Sequence, residues 1–263
     1  MKIWTLTLLA LACCCARVGL SAETAKNDTF YLQKGDVVLF LGDSITEESK
    51  YMYALYYDDI AKKYPDLLGG PPPAYNHDVF KAPSLSFVNG GVSGDTAGGG
   101  VNRLPALIQK WKPTVCVVCF GMNDRYKDRA NYVENMRKIV RKLKESNIAV
   151  TILTAPSTFP INDDLKNYVP ILGVMAGEMK QLAADEKVLY ADCYSKFKAW
   201  LDAGKPNFTW GDGIHPNTDG HRMMNDALEE VWNYGKPLAA AGAPRSAGAV
   251  SAPAPAPAAT AKK

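Results

Sequence analysis

Short apolar runs alternate with longer amphipathic stretches along most of this chain. The apolar residues Val37–Leu41 are continuous, which is typical of a strand buried on both faces of a parallel sheet. Further runs predict strands at Leu85–Asn89, Thr114–Phe120, Ile148–Thr154 and Lys187–Ala191. Five strands separated by helical stretches predict an α/β protein, a three-layer α/β/α sandwich with a five-stranded, mainly parallel sheet.

The stretches between the strands have helical periodicity. In Asn131–Glu145 the apolar side chains share one stripe, which is typical of a helix packed on a sheet. Pro65 ends the first helix, and the Gly- and Pro-rich stretch Asp66–Pro83 predicts a long loop without regular structure. Gly98–Gly100 are expected to form a flexible turn before the next helix. Helices are predicted at about 47–64, 101–111, 131–145, 165–185, 194–202 and 219–234.

Both ends of the chain differ in composition from the rest. Lys2 precedes an apolar run that is too short to cross a bilayer, so residues 1–22 are predicted to be a signal peptide cleaved after Ala22. We expect a secreted or periplasmic protein without stable membrane insertion, with a lipid anchor at Cys13–Cys15 as the alternative. One domain is predicted at about 30–235, and the Ala/Pro-rich residues 236–263 predict a disordered tail.

Charge and cysteine content exclude several classes of protein. A formal net charge of +3 in 263 residues gives no reason to expect nucleic-acid binding. Behind the signal peptide the chain keeps Cys116, Cys119 and Cys193, an odd number. Cys116 and Cys119 lie on one strand and point to opposite faces, so they cannot pair with each other. We expect buried free thiols, with a bridge from Cys193 to one of them as the alternative.

Polar residues follow the predicted strands where each strand ends. Ser44 follows the first strand, Gly91 the second and Asn123 the third, and a late loop contains residues 212–215. Right-handed crossovers between parallel strands bring these strand ends to one edge of the sheet. Taken singly, such residues are typical of helix caps and turns. Together they predict a site at this edge.

The residue types at this edge suit nucleophilic catalysis. A serine nucleophile needs a base within hydrogen-bond reach and an acid that orients the base. Ser44 is the candidate nucleophile, His215 the candidate base and Asp212 the candidate orienting acid. Because Asp212 and His215 are three residues apart, a single turn docked at the sheet edge can supply both side chains.

Four sequence blocks lie at the predicted strand ends and in the late loop. They are G-D-S-I-T at Gly42–Thr46, N-G-G-V-S-G at Asn89–Gly94, G-M-N-D at Gly121–Asp124 and D-G-I-H-P-N at Asp212–Asn217. In this order the blocks resemble the SGNH hydrolase superfamily, also called the GDSL esterases. The resemblance covers residues 37 to about 234 and implies a flavodoxin-like fold and serine ester hydrolysis. It assigns the oxyanion hole to the backbone N–H groups of Ser44 and Gly91 and to the side-chain amide of Asn123.

The expected activity is hydrolysis of carboxylic esters through an acyl-enzyme, without a metal or cofactor. Short acyl groups are favoured, particularly acetyl groups on carbohydrate, and Trp210 is a candidate for stacking on a sugar ring. Residues 66–83 and 155–164 are expected to form the substrate wall. The alternatives are a lysophospholipase or lipase and a catalytically silent glycan-binding domain. The oligomeric state stays open.

Two other hypotheses about the site, an ordinary α/β-hydrolase nucleophile and a histidine metal site, are disfavoured. The chain has no G-x-S-x-G elbow, so the ordinary α/β-hydrolase pattern does not fit its serine. His77, His215 and His221 have spacings that fit no usual metal site. We expect His221 to lie on a helix surface instead.

Overall fold

A six-stranded sheet forms the centre of the protein. The computed structural model describes residues 31–232. The strands follow the spatial order β2-β3-β1-β4-β5-β6, and all are parallel except β2, which pairs antiparallel with β3. Their bounds are β1 Asp36–Gly42, β2 Val79–Lys81, β3 Leu85–Gly91, β4 Val115–Cys119, β5 Ala149–Leu153 and β6 Leu189–Ala191.

Strand β2 corrects the prediction of five strands and of a loop without regular structure at Asp66–Pro83. Only Phe80 of this three-residue strand is fully buried, and it lies opposite Phe87 of β3. Three residues are too few to show the alternation of apolar and polar side chains that predicts a strand. Strand β2 is recognised only by its pairing with β3. A short helix, Pro65–Leu68, extends into the same segment, with proline in the first helical turn where it fits a helix start.

Helices cover the sheet and connect its strands. The first predicted helix is broken at Ser49, whose φ is 57°, and it continues through a π-helical segment, Ala54–Ile60. A short 3₁₀ turn spans Asp124–Tyr126. The α-helices described are α1 Ser44–Glu47, α2 Lys50–Tyr53, α3 Ala61–Lys63, α4 Pro65–Leu68, α5 Ala97–Trp111, α6 Arg129–Glu145, α7 Asp163–Glu186, α8 Cys193–Asp202 and α9 Thr218–Trp232.

Helix α5 begins earlier than predicted and includes the glycines expected to form a flexible turn. A Cβ atom at Gly100 would lie 2.6 Å from the ring of Phe120. Glycine at this position therefore lets the start of α5 approach the end of β4 closely. All three glycines lie within α5, so the prediction of a flexible turn was wrong.

The core consists of apolar side chains on both faces of the sheet. Cys116 and Cys119 are three residues apart on β4, so their side chains point to opposite faces of the sheet. All three thiols are buried and free. On the α9 side, Trp232 donates from its indole nitrogen to Thr151 Oγ1 at 2.9 Å. Because this hydrogen bond satisfies both the indole nitrogen and the hydroxyl group, the two polar atoms can be buried in the core.

Several predictions fall on residues outside 31–232. These are the signal peptide at 1–22, the tail at 236–263 and the outermost residues of the predicted domain. Among residues 31–232, no helix has the length and apolar character needed to span a bilayer.

Candidate active site

Ser44 lies where the order of the parallel strands reverses. The chain leaves β1, Asp43 accepts a hydrogen bond from the N–H of Ile45 at 3.0 Å, and Ser44 begins α1. Strand β3 flanks β1 on one side and β4 flanks it on the other. The carboxyl ends of such neighbouring strands form the crevice where open α/β sheets place their ligands.

The structure brings Ser44 together with the two residues predicted from the late loop. Ser44 Oγ lies 2.9 Å from His215 Nε2. His215 Nδ1 lies 2.5 Å from Asp212 Oδ2 and donates to it, because a carboxylate only accepts. A continuous hydrogen-bonded path therefore leads from the serine hydroxyl through the imidazole to a carboxylate. This is the geometry that an activated serine requires.

The turn at residues 212–215 orients its own two side chains. Asp212 Oδ1 accepts the backbone N–H groups of Ile214 at 2.8 Å and His215 at 2.9 Å. Partial burial opposes ionisation of Asp212, but the hydrogen bonds from His215 and from the backbone outweigh it and lower the pKa of this carboxyl. Asp212 is therefore ionised at neutral pH.

Asn123 and Gly91, the other predicted site residues, differ in the donors that they leave available. The Asn123 amide donates one hydrogen to the carbonyl of Asp95 at 2.8 Å, and an amide nitrogen carries a second hydrogen. The Gly91 N–H donates to Asn89 Oδ1 at 2.9 Å. A Cβ atom at Gly91 would lie 2.1 Å from the backbone nitrogen of Glu47. Gly91 therefore allows α1 to pack against β3, and its N–H is already used.

Arg103 of α5 is a polar residue of this region that the sequence analysis missed. Its guanidinium donates to Asp95 Oδ2 at 2.7 Å and to the carbonyl of Gly42 at 2.7 Å, and it also donates to the carbonyl of Gly90. It thus joins the ends of β1 and β3 to the turn that holds Asn123. No sequence motif signals this role, because two of its three acceptors are main-chain carbonyl groups.

His221 is a correction to the sequence prediction. It is only 2% exposed and lies on the buried side of α9, not on the helix surface. Its Nε2 lies 3.1 Å from Glu48 Oε2, and its ring stacks on Tyr51. Burial lowers the pKa of His221 despite the hydrogen bond to Glu48, so the imidazole is neutral at pH 7.

A cavity of about 330 Å³ opens at the serine. A cavity of about 380 Å³ lies between α5 and α6, away from the serine and histidine. Polar side chains surround the cavity at the serine, which makes it suited to a small polar substrate rather than to a long acyl chain. Its lining residues are Ser44, Glu47, Glu48, His77, Ser93 and His215.

Two buried carboxyl groups, Asp43 and Asp124, follow the ends of β1 and β4. Burial, reinforced by the neighbouring carboxyl of Asp124, raises the pKa of Asp43 to about 7, although the Ile45 N–H opposes the shift. Burial also raises the pKa of Asp124 to about 6, against a hydrogen bond from the Ala97 N–H. Both groups therefore take up protons more readily in the folded protein than in the unfolded chain.

We expect Asp43→Asn to stabilise the protein at alkaline pH and to have little effect near pH 4. Asparagine keeps an oxygen acceptor for Ile45. In the wild type, the folded state holds a proton on Asp43 that the unfolded chain has lost, so stability falls as pH rises from about 4 to about 7. At pH 8 the variant should melt about 5 °C higher. Thermal unfolding followed between pH 4 and pH 9 measures this difference.

The control for this experiment is Asp66→Asn, which changes an exposed carboxyl of α4. Its melting temperature should differ from that of the wild type by a constant, small amount across the pH range. A difference between Asp43→Asn and the wild type that does not change with pH would contradict the assignment of the raised pKa.

Comparison with known proteins defines the class to which this fold and this site belong. The sequence model of the GDSL-like lipase/acylhydrolase family matches residues 40–223. The chain belongs to this family. The predicted superfamily and the prediction of a carboxylic ester hydrolase are thereby confirmed, whereas the comparisons give no specific substrate.

Two curated relatives of the chain are described as esterases. An arylesterase of Vibrio mimicus is 30% identical over 46% of this chain and 55% of its own length, so this chain spans just over half of that protein. Esterase TesA of Pseudomonas aeruginosa is 29% identical over 57% of this chain and 70% of its own length.

A solved structure with the same fold is Axe2, an acetylxylan esterase from Geobacillus stearothermophilus. Its TM-score is 0.63 at 19% identity, and the match covers 78% of this chain and 99% of Axe2. The predicted α/β fold of this family is confirmed, with six strands in place of five.

Proposed function

We propose that the protein hydrolyses short-chain carboxylic esters through an acyl-enzyme on Ser44. The observation that carries this proposal is the hydrogen-bonded path from Ser44 Oγ through His215 to Asp212, with distances of 2.9 Å and 2.5 Å. Ser44, at the start of this path, lines the cavity at the carboxyl end of β1. A glycan-binding domain without catalysis has no need for this alignment.

In the first half of the reaction, Ser44 Oγ attacks the carbonyl carbon of the ester while His215 Nε2 takes the serine proton. The imidazolium that forms is stabilised by the carboxylate of Asp212. Collapse of the tetrahedral intermediate breaks the bond to the alcohol, and His215 returns the proton to the departing oxygen. In the second half, water attacks the acyl-enzyme by the same route and releases the carboxylic acid.

The negative charge on the tetrahedral oxygen needs hydrogen-bond donors. We assign these to the backbone N–H of Ser44 and to the second amide hydrogen of Asn123. The predicted donor at Gly91, its backbone N–H, would first have to break its hydrogen bond to Asn89 Oδ1. Gly94, exposed and in the left-handed region with φ 73°, follows three residues later in the same turn. Its N–H has no acceptor among residues 31–232, so it is available as a third donor.

The favoured substrate is an acetyl ester of a carbohydrate. The cavity is small and polar, and Trp210 beside the late loop is 56% exposed. Trp210 donates its backbone N–H to the carbonyl of His215 at 3.0 Å, so its main chain is held beside that of the base. An exposed aromatic ring next to a polar cavity suits stacking on a sugar. The shared fold with an acetylxylan esterase supports the same choice.

An ester series tests this proposal. The protein is assayed on 4-nitrophenyl acetate, butyrate and octanoate, and then for release of acetate from acetylated xylan. We expect kcat/KM to fall from acetate to octanoate and acetate to be released from the polymer. A preference for octanoate would point to the alternative lysophospholipase or lipase. No turnover of any ester would contradict the enzymatic proposal.

The proposed location is outside the cytoplasm. The first residues have the layout of an export signal, and polymeric glycans, the proposed substrates, are found outside the cytoplasm. Lipid attachment at Cys13–Cys15 stays the alternative.

A further inference from the structure

Glu48 occupies a position from which it can act on a substrate held at Ser44. It lies one helical turn beyond the serine, and its N–H donates to the carbonyl of Ser44 at 3.0 Å. Residues four apart lie on the same side of a helix, and helical side chains lean towards the N-terminus. Glu48 is therefore on the same side of this turn as the serine, and both residues line the same cavity.

The Glu48 carboxylate is held in place by neighbouring donors. Its Oε2 accepts from His221 Nε2 at 3.1 Å and from Lys50 Nζ at 3.1 Å. Because a carboxylate only accepts, Nε2 is the nitrogen of His221 that carries the hydrogen. The imidazole itself is immobilised by burial and by stacking on Tyr51. Glu48 is thus a fixed charge and not a freely rotating surface side chain.

The charge at this edge of the cavity is negative. Partial burial opposes ionisation of Glu48, but the hydrogen bonds from His221 and Lys50 outweigh it and lower the pKa of Glu48. Glu47 lines the cavity as well, whereas the Lys50 ammonium lies over the ring of Trp210 at 4.4 Å from its centre. Two carboxylates against one cation leave a net negative charge beside the reacting ester.

We propose that Glu48 is a specificity-determining residue, which favours esters of neutral hydroxyl-rich or cationic alcohols and disfavours esters of anionic alcohols. Hydroxyl groups can donate to the Glu48 oxygen that His221 and Lys50 leave open. An anionic group in the same place meets like charge and cannot supply a donor. This role rests on the proposed function of Ser44, and it adds a selection by charge to the preference for short acyl groups.

Three phenyl acetates that differ only in the charge at the meta position test the role of Glu48. They are 3-acetoxybenzoate, phenyl acetate and 3-acetoxy-N,N,N-trimethylanilinium. The readout is the ratio of kcat/KM for the cation to kcat/KM for the anion. Normalising each variant to the wild type removes the intrinsic reactivity of the leaving groups.

We expect Glu48→Gln to lower this ratio about tenfold at low ionic strength. Glutamine keeps an oxygen acceptor for His221, so the packing around the imidazole survives. Lys50→Met removes the counter-charge and should raise the ratio about threefold. The wild-type ratio itself should fall in 0.5 M salt, because salt screens partly exposed charges. Opposite shifts in two variants cannot arise from a general loss of folding.

The matched control is Glu134→Gln on α6, which changes an exposed carboxylate that does not line the cavity. Its ratio should equal that of the wild type. Ratios within twofold of the wild type in both Glu48→Gln and Lys50→Met would overturn the role of Glu48 while ester hydrolysis continues. Hydrolysis that persists in Ser44→Ala would overturn the proposed function itself, and this role with it.

Discussion

Ser44→Ala is expected to lower kcat for 4-nitrophenyl acetate by about 10⁴- to 10⁶-fold. The substitution removes the atom that forms the acyl-enzyme and leaves His215 without the proton that it transfers. Only the stabilisation of the tetrahedral oxygen by nearby donors would remain. The measurement is a steady-state assay of the purified variant together with a search for the acyl-enzyme by mass spectrometry. The acyl adduct should appear on the wild type and be absent from the variant.

Ser93→Ala is the matched control, because Ser93 also lines the cavity but is not bonded to His215. Its kcat should stay within about threefold of the wild type, because this exposed side chain makes no hydrogen bond with residues 31–232. Both variants should melt close to the wild-type temperature. If Ser44→Ala retains a tenth of the wild-type activity, another group must be the nucleophile.

Asp212→Asn is expected to lower kcat/KM by about 10³- to 10⁴-fold without unfolding the late loop. Asparagine retains the oxygen that accepts the N–H groups of Ile214 and His215, so the turn keeps its backbone bonds. What is lost is the negative charge that orients the imidazole and stabilises its protonated form. Steady-state kinetics and a thermal melt, measured together, separate the loss of charge from a loss of structure.

Asp219→Asn changes an exposed carboxyl a few residues away, in the first turn of α9. We expect this control to retain nearly full activity. If kcat/KM falls by the same modest factor in Asp212→Asn and Asp219→Asn, the activity depends on the overall negative charge of this region. Orientation of His215 by Asp212 would then be excluded as the main effect.

The strand ends and the late loop could be predicted because their signals are local. A buried strand, a glycine and a serine before a helix are contiguous at residues 37–47, and the aspartate and histidine are three residues apart. Parallel strands then bring these local signals to one edge. For this reason the sequence predicts which residues meet, and the structure adds the distances between them.

His221, Arg103 and strand β2 could not be predicted, because partners distant in sequence define each of them. His221 is buried by contacts with Tyr51 and Glu48, which precede it by about 170 residues. Arg103 bonds to carbonyl groups that any sequence possesses. Strand β2 exists because β3 offers it an edge. The periodicity of apolar residues indicates the environment of a segment only when the segment is long enough for the pattern to repeat.

The double use of Asp212 divides the site into two parts, each held by its own hydrogen bonds. One carboxylate fixes both the backbone and the imidazole of the turn at residues 212–215, so the histidine and its acid move as a unit. On the other side, Arg103 joins the ends of β1 and β3. Displacement of the late loop therefore leaves the internal geometry of each part unchanged. It alters the distance across which the proton is transferred, the one between Ser44 Oγ and His215 Nε2.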